Sequence, residues 1–343
     1  MSLQESNRPM LRWPLIRMLP AKTELHFVGV ARLMGFLSVV AVLGSLLLCF
    51  TQGLTLGIDF KGGTVMDVST PGAPVDAAKV RSVLNSLRLG DVGVQTFGSA
   101  GAVQVKFQTP TGSDPAQTVT RVNGALTQAL APAQVKFANT SVVGPKVSGE
   151  LFRSGILALG IAIFLMLLFI WFRYQLQFGL GAVAALFHDV ILTFGVFAIF
   201  KLEFTLTSIA AILTIIGYSM NDTVVVFDRL RENLRKFRKA PLREVIELSI
   251  NETLSRTVIT GLTALLALFG LALFGGEALR TFAIALIFGI TIGTYSSIYV
   301  ASPIILLWGV KSGDDEEPTL VGPAAQAAMA QKAAALKAGR SEN

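Results

Sequence analysis

Charge is the first thing this chain is short of. Asp, Glu, Lys and Arg make up 15% of its 343 residues, against about a quarter in soluble domains, which excludes an ordinary soluble globular protein. Cysteine is the second scarcity. Cys49 stands alone, so there is no intramolecular disulfide and no cysteine-based metal cluster, and an inert buried thiol is the expectation. The two histidines are His26 and His188, and neither falls in the one long polar segment of the chain. What fills the space is hydrophobic, 52% of all residues.

These residues are gathered in charge-poor runs at 33–56, 154–172, 178–200, 204–227, 257–274 and 282–310. Each is long enough to cross a hydrocarbon core of about 30 Å as a helix, the fifth only just. The pattern predicts an α-helical membrane protein with six transmembrane helices. Lys and Arg concentrate in the leader 1–32, at Arg173, in the segment 228–256 and in the tail 311–343, while the opposite short loops offer Lys201 and Arg280. The bias of positive charge towards the cytoplasm puts both termini there, together with a basic loop over 228–256. It also accounts for the net charge of +7 through contact with the lipid bilayer, with no nucleic acid expected. About thirty residues precede the first run and no small-residue cleavage site follows it, so it reads as an uncleaved anchor. The acidic run 314–317 and Ala-rich 324–338 make the tail disordered or loosely helical.

Between the first two runs, 57–150 has globular character. Its periodicity predicts a strand over 56–69, a helix over 75–89, strands over 95–97 and 103–108, a helix over 116–130 and a strand over 134–143. That order is the split βαβ arrangement of ferredoxin-like α+β folds, here extracytoplasmic. The segment contains no metal-ligand cluster and no phosphate-cradling glycine loop, so it suits a binding or lever role better than catalysis.

The chemistry is concentrated in the apolar spans. Asp222 lies in GYSMNDTVVVFDRLREN (217–233), and a carboxylate at a helix centre costs about 2.5–3.5 kcal/mol on insertion scales. Two readings follow: Asp222 binds and releases protons, or it and Asn221 are hydrogen-bonding glue between helices. Thr207, Thr214 and Asn221 recur every seven residues, close to one helix face, with Tyr218 and Asp222 beside them. Arg256, Thr260 and Thr263 share a face of the fifth span, and His188 with Asp189 sits in the third. The sixth carries Gly289 and Gly293 at a spacing that lets helices approach closely, followed by Thr294, Tyr295, Ser296 and Ser297. Arg256 is either an interfacial anchor that snorkels to water or a cation that favours the charged form of Asp222 when near and releases it when distant. His188 and Asp189 form either a relay step or a structural pair. Enzymatic readings are weak. Gly217 to Met220 with His188 mimics a serine protease only through a short pattern, and Asp189 with Asp222 lacks the context of an aspartyl dyad. The chain reads as a non-enzyme.

GIDFKGGT (57–64), HDV (188–190), GYSMNDTVVVFDRLREN, INETLSRTVITG (250–261) and GTYSSIYVASP (293–303) together resemble the SecF branch of the bacterial SecDF family, in the resistance-nodulation-division superfamily. The resemblance spans 33–308. It implies a subunit of the Sec protein-export machinery that uses the proton motive force to promote late translocation of a preprotein across the cytoplasmic membrane. It implies SecD as the partner supplying the other half of a pseudo-two-fold bundle, with YajC and the SecYEG channel, and a periplasmic ferredoxin-like domain. Asp222 and Arg256 fall on the family's proton-pathway positions; the resemblance implies H+ as the coupling ion, while a carboxylate by itself serves H+ or Na+, and no cofactor or metal is expected. Gly57, Asp59, Gly62 and Gly63 would form the joint between membrane and domain, the last two allowing backbone geometry that other residues resist. Rival readings are a proton-coupled half-transporter of a lipid or small molecule, which needs a roomy apolar pocket in the outer domain, and a scaffold for SecD.

Overall fold

A computed structural model describes residues 25–71, 74–90, 92–96, 101–109 and 113–309. The leader's first 24 residues and the tail from 310 onward lie outside the described residues, and so do the expectations made for them.

Among the described residues, six helices are long and apolar enough to cross a membrane. They are α1 (Phe27–Gln52), α5 (Pro145–Arg173), α6 (Leu176–Ile199), α7 (Leu206–Lys236), α8 (Leu242–Phe274) and a last span assembled from α9 (Gly276–Ser296), a π-helical turn (Ser297–Ala301) and α10 (Ser302–Trp308). The π turn has a local cause. Pro303 has no N–H to continue the α ladder, and Ser302 Oγ donates to the Ser297 carbonyl at 2.9 Å, five residues back. α6 and α7 bury most of their length, whereas α1, α5 and α8 turn Leu33, Phe36, Phe164, Leu165, Leu266 and Phe269 outward. An apolar exterior of this extent is stable in lipid, where no hydrophobic penalty attaches to it.

Between α1 and α5 the chain forms β1 (Thr55–Leu56), α2 (Ile58–Lys61), β2 (Gly63–Ser69), α3 (Ala77–Ser86), β3 (Val92–Thr96), β4 (Ala102–Phe107), α4 (Pro115–Leu130) and β5 (Lys136–Val143). β2 to β5 make one antiparallel sheet in the order β3-β4-β2-β5. Burial alternates along β2 and β4, as one covered face requires. Met66, Val68, Val103, Val105 and Phe107 meet Val80 and Leu84 of α3 and Val122 and Leu126 of α4. Both helices start on aspartate caps: Asp76 accepts from the Ala78 and Lys79 amides and Asp114 from Ala116, each stabilising by about 1 kcal/mol.

Two stretches depart from the sequence expectation. GIDFKGGT is not the start of one strand over 56–69; a one-turn helix, α2, separates β1 from β2. The glycines cause this. Gly62 and Gly63 have φ of 76° and 142°, values that L side chains resist. The basic segment 228–256 is not a loop either. α7 continues to Lys236 and α8 begins at Leu242, leaving a turn over 237–241. Its high charge hid a helical stripe: Leu230, Val245, Ile246 and Ile250 are buried along the hairpin seam. Arg229 Nε meets Glu252 at 2.6 Å and Asn233 Nδ2 meets Ser249 Oγ at 3.0 Å and Glu252 at 2.7 Å. At the same end, Arg173 grips Asp228 through both carboxylate oxygens. Burial and the Asp228 charge push the Tyr174 hydroxyl well above the ordinary tyrosine range, so it stays a neutral donor. The first residues of α1 are held by α8, with the Leu25 and Val28 amides donating to Asn251 and Glu247.

Candidate functional site

The joint between sheet and membrane helices is built from short pieces of main chain. β1 pairs in parallel with β6 (Glu203–Phe204) in the α6–α7 connection, and the Gly57 amide donates to the Phe204 carbonyl at 2.9 Å. A Cβ on Gly57 would run into the Thr205 side chain, so glycine is needed for this approach. Asp59 reaches from α2 to accept the Leu206 amide at 2.9 Å, placing a carboxylate on the N-terminus of α7 where the helix dipole favours it. Phe60 packs on Phe152 of α5 and Phe204, and Lys106 of β4 pairs with Glu203 at 2.8 Å. The sheet's other exit is equally short, with Gly144 alone separating β5 from α5. Removing the cap by Asp59→Ala is expected to cost about 1 kcal/mol locally. Hydrogen exchange should then quicken at the first turn of α7 while α3 and the sheet keep their protection; unchanged exchange at Leu206 would refute the cap.

Deeper in the helices the two aspartates belong to separate clusters. Asp189 on α6 is 1% exposed and fully engaged. His188 Nδ1 lies 2.8 Å from one oxygen, while Ser219 of α7 and Ser296 of α9 donate to the other at 2.5 and 2.7 Å. The His188 ring stacks on Tyr295, whose hydroxyl donates to the Met34 carbonyl of α1 at 2.8 Å and lies 2.9 Å from Ser38 Oγ. One buried carboxylate thus ties three helices and, through its histidine, a fourth.

Asp222 on α7 is 4% exposed, yet it is held loosely. Thr257 of α8 and Thr294 of α9 donate to its two oxygens at 3.2 and 3.3 Å, both long for O–H···O bonds, whose usual range ends near about 3.0 Å. Arg256 does not pair with it. Arg256 is exposed on α8. Tyr218, one turn before Asp222, keeps a buried hydroxyl without a hydrogen-bond partner. Thr207, Thr214 and Asn221 are exposed along α7, as are Thr260 and Thr263 along α8. The polar stripe therefore faces away from this chain's own helices, with Asp222 tucked behind its edge.

The enzymatic arrangements weighed on sequence do not assemble. Ser219 donates to Asp189 and not to His188, and the two aspartates share no hydrogen-bond partner. Among the described residues no group of three or more His, Cys, Asp or Glu could hold a metal ion. Sequence reasoning missed Ser219, Ser296, Thr257 and Thr294 as aspartate donors. They all lie in the quoted motifs, but nothing in their spacing says which carboxylate each one meets.

Six apolar spans with an α+β insertion after the first, and two intramembrane carboxylates in distinct settings, define a class of helical membrane protein. The family model "Protein export membrane protein SecD/SecF, C-terminal" matches residues 122–311, and the "SecD/SecF GG Motif" model matches 48–70. The chain belongs to the SecD/SecF family of bacterial multi-pass membrane proteins. Among its relatives, the protein translocase subunit SecF of Cereibacter sphaeroides is 44% identical over 315 residues, which is 90% of this chain and 96% of that one. SecF of Rickettsia rickettsii is 41% identical over 293 residues, 85% of this chain and 94% of that one. The crystal structure of SecDF from Thermus thermophilus, a translocon-associated membrane protein, superposes with a TM-score of 0.74 at 33% identity, over 85% of this chain. This chain spans 40% of that longer polypeptide.

Proposed function

We propose that this chain works as the SecF half of a proton-driven device in Sec protein export, with SecD supplying the other half. The observation that carries it is the contrast at Asp222: buried, weakly held, unpaired with any cation and bordered by an exposed polar stripe. A buried structural carboxylate should be saturated with donors, as Asp189 is. One left with long bonds at the edge of an unfinished surface is suited to taking up and losing a proton.

In this reading the six spans of SecD cover the stripe of Thr207, Thr214, Asn221, Arg256 and Thr260, completing a half-built proton pathway. Arg256 approaches Asp222 in one arrangement of the helices and withdraws in the other, so that charge and geometry change together. A potential of 100 mV supplies about 2.3 kcal/mol per charge crossing, ample for biasing two helix arrangements. The α+β insertion, ferredoxin-like in its strand order, lies on the periplasmic side, and both termini lie in the cytoplasm. Motion of α7 reaches the insertion through Asp59 and β1–β6, and motion of α5 reaches it through Gly144. The insertion acts on a preprotein emerging from SecYEG, with YajC as an accessory.

The test is a pulse-chase of a signal-bearing precursor in cells whose only copy carries Asp222→Asn, with membrane levels of this chain and SecD followed in parallel. Several-fold slower maturation at normal levels is expected. Unaltered maturation would sink the coupling role and leave a scaffold.

A further inference from the structure

A groove of about 930 Å³ runs along the outside of the bundle between α1, α6 and α10, near the upper end of the usual small-molecule range of roughly 300–1,000 Å³. It lies among the membrane helices and not in the α+β insertion. Its walls are apolar: Val39, Val42, Ala184, Ile191, Val300 and Ile304. The rim is open to the bilayer, since Leu43, Phe187 and Leu307 are 61%, 42% and 82% exposed.

One end differs in chemistry from the rest. Arg32, near the start of α1, and Arg243, the second residue of α8, are the charged residues lining the groove. Both side chains are exposed, and neither has an acidic partner among the described residues. Glu247, one turn along α8 from Arg243, accepts the Val28 amide through one oxygen and leaves the other without a partner, so its charge offsets one of the two arginines and the end keeps a net positive charge. Guanidiniums at a membrane surface attract anionic headgroups by about 1 kcal/mol each, and each presents a planar fork that fits a phosphate. Further down the wall His188, 5% exposed, keeps an Nε2 without a protein hydrogen-bond partner, joining Ser38 and Tyr299 as the uncharged polar groups of a mostly apolar lining.

We propose that this groove is a binding site for an anionic glycerophospholipid, its phosphate held by Arg32 and Arg243 and one acyl chain laid along α1, α6 and α10. The charge asymmetry is what selects a lipid over a protein helix: an apolar helix fills the walls but leaves both arginines unpaired. The site is separate from the polar stripe on α7 and α8, so it remains open whether or not a partner covers that stripe. Bound lipid would brace α1 against α6 and α10, the helices behind the His188–Asp189 cluster.

The test uses the full chain reconstituted in phosphatidylcholine bilayers with a trace of spin-labelled phosphatidylglycerol or spin-labelled phosphatidylcholine, reading the motionally restricted fraction of each. The unaltered protein is expected to prefer phosphatidylglycerol, by about fivefold per arginine at most. Arg32→Gln with Arg243→Gln should clearly lower that preference, leaving what the other basic residues attract, without changing the circular dichroism, since both residues are exposed. Ala184→Phe, which fills the groove and leaves the arginines in place, should also reduce the restricted phosphatidylglycerol. Equal association of both lipids with the unaltered protein would overturn the proposal and leave the groove to a protein segment. Selectivity undiminished in the double arginine variant would overturn it too. So would selectivity lost on removing the arginines but untouched by Ala184→Phe, which would mean surface attraction alone.

Discussion

Asp189→Ala is expected to lose about 3–5 kcal/mol of stability, a large part of the roughly 5–15 kcal/mol that separates a folded domain from its unfolded state. The substitution deletes one side chain and strands Ser219 and the His188 Nδ1, while Ser296 falls back on the Gly293 carbonyl at 3.1 Å. Ser219, Ser296 and His188 all direct polar atoms at the Asp189 carboxylate from within 2.5–2.8 Å, and all three side chains are buried. Each unsatisfied buried group costs about 1–3 kcal/mol. Loosening His188 also frees the Tyr295 ring that links the cluster to α1. Thermal unfolding of the purified chain in detergent measures this directly. Asp222→Asn is the internal comparison: its two bonds at 3.2 and 3.3 Å contribute little, so its midpoint should stay close to that of the unaltered protein. Equal losses for the two variants would contradict the division into a structural and a coupling aspartate.

The second large effect is expected at the seam between α7 and α9. A Cβ on Gly289 would land inside the Ile215 side chain, and one on Gly293 would sit 3.0 Å from Ser219 Cβ and 3.2 Å from Ser219 Cα. The two glycines are one turn apart and meet two α7 residues one turn apart, so the helices run in contact at main-chain distance. Gly289→Leu and Gly293→Leu should each cost about 1–3 kcal/mol through overpacking, and Gly293→Leu should cost more because it also displaces Ser219 from Asp189. Gly217→Ala is the control, since nothing lies within 4 Å of its added Cβ. Pairing Gly289→Leu with Ile215→Ala should recover part of the loss, a coupling that a double-mutant cycle reads as non-additivity. An unchanged midpoint for Gly289→Leu would show that the seam is not closely packed.

Much of the architecture was legible in the residues because it is local. Apolar runs of membrane length identify themselves by composition, and six such helices are present among the described residues. The order of strands and helices between the first two spans follows from periods of two and 3.6 residues along β2, α3, β4 and α4. Charge misled at 228–256, where charged residues outnumber the buried stripe of Leu230, Val245, Ile246 and Ile250. Glycine misled at 57–64, since its freedom of φ is visible in sequence but the fold that uses it is not.

The candidate site divides along the same line. By itself the sequence determined that Asp189, Asp222 and His188 are costly residues in apolar helices, that Arg256 stands at the end of one, and that Gly289 and Gly293 permit close approach. Only the tertiary structure decided that Asp189 is saturated and Asp222 loosely held, that Arg256 stands apart from Asp222, and that Thr207, Thr214 and Asn221 look outward. The reason is physical. Burial cost is a property of one residue in its span, but the supply of donors to a carboxylate depends on how closely neighbouring helices approach and how each is rotated, which is set at the α7–α9 and α6–α9 contacts between residues far apart in the chain.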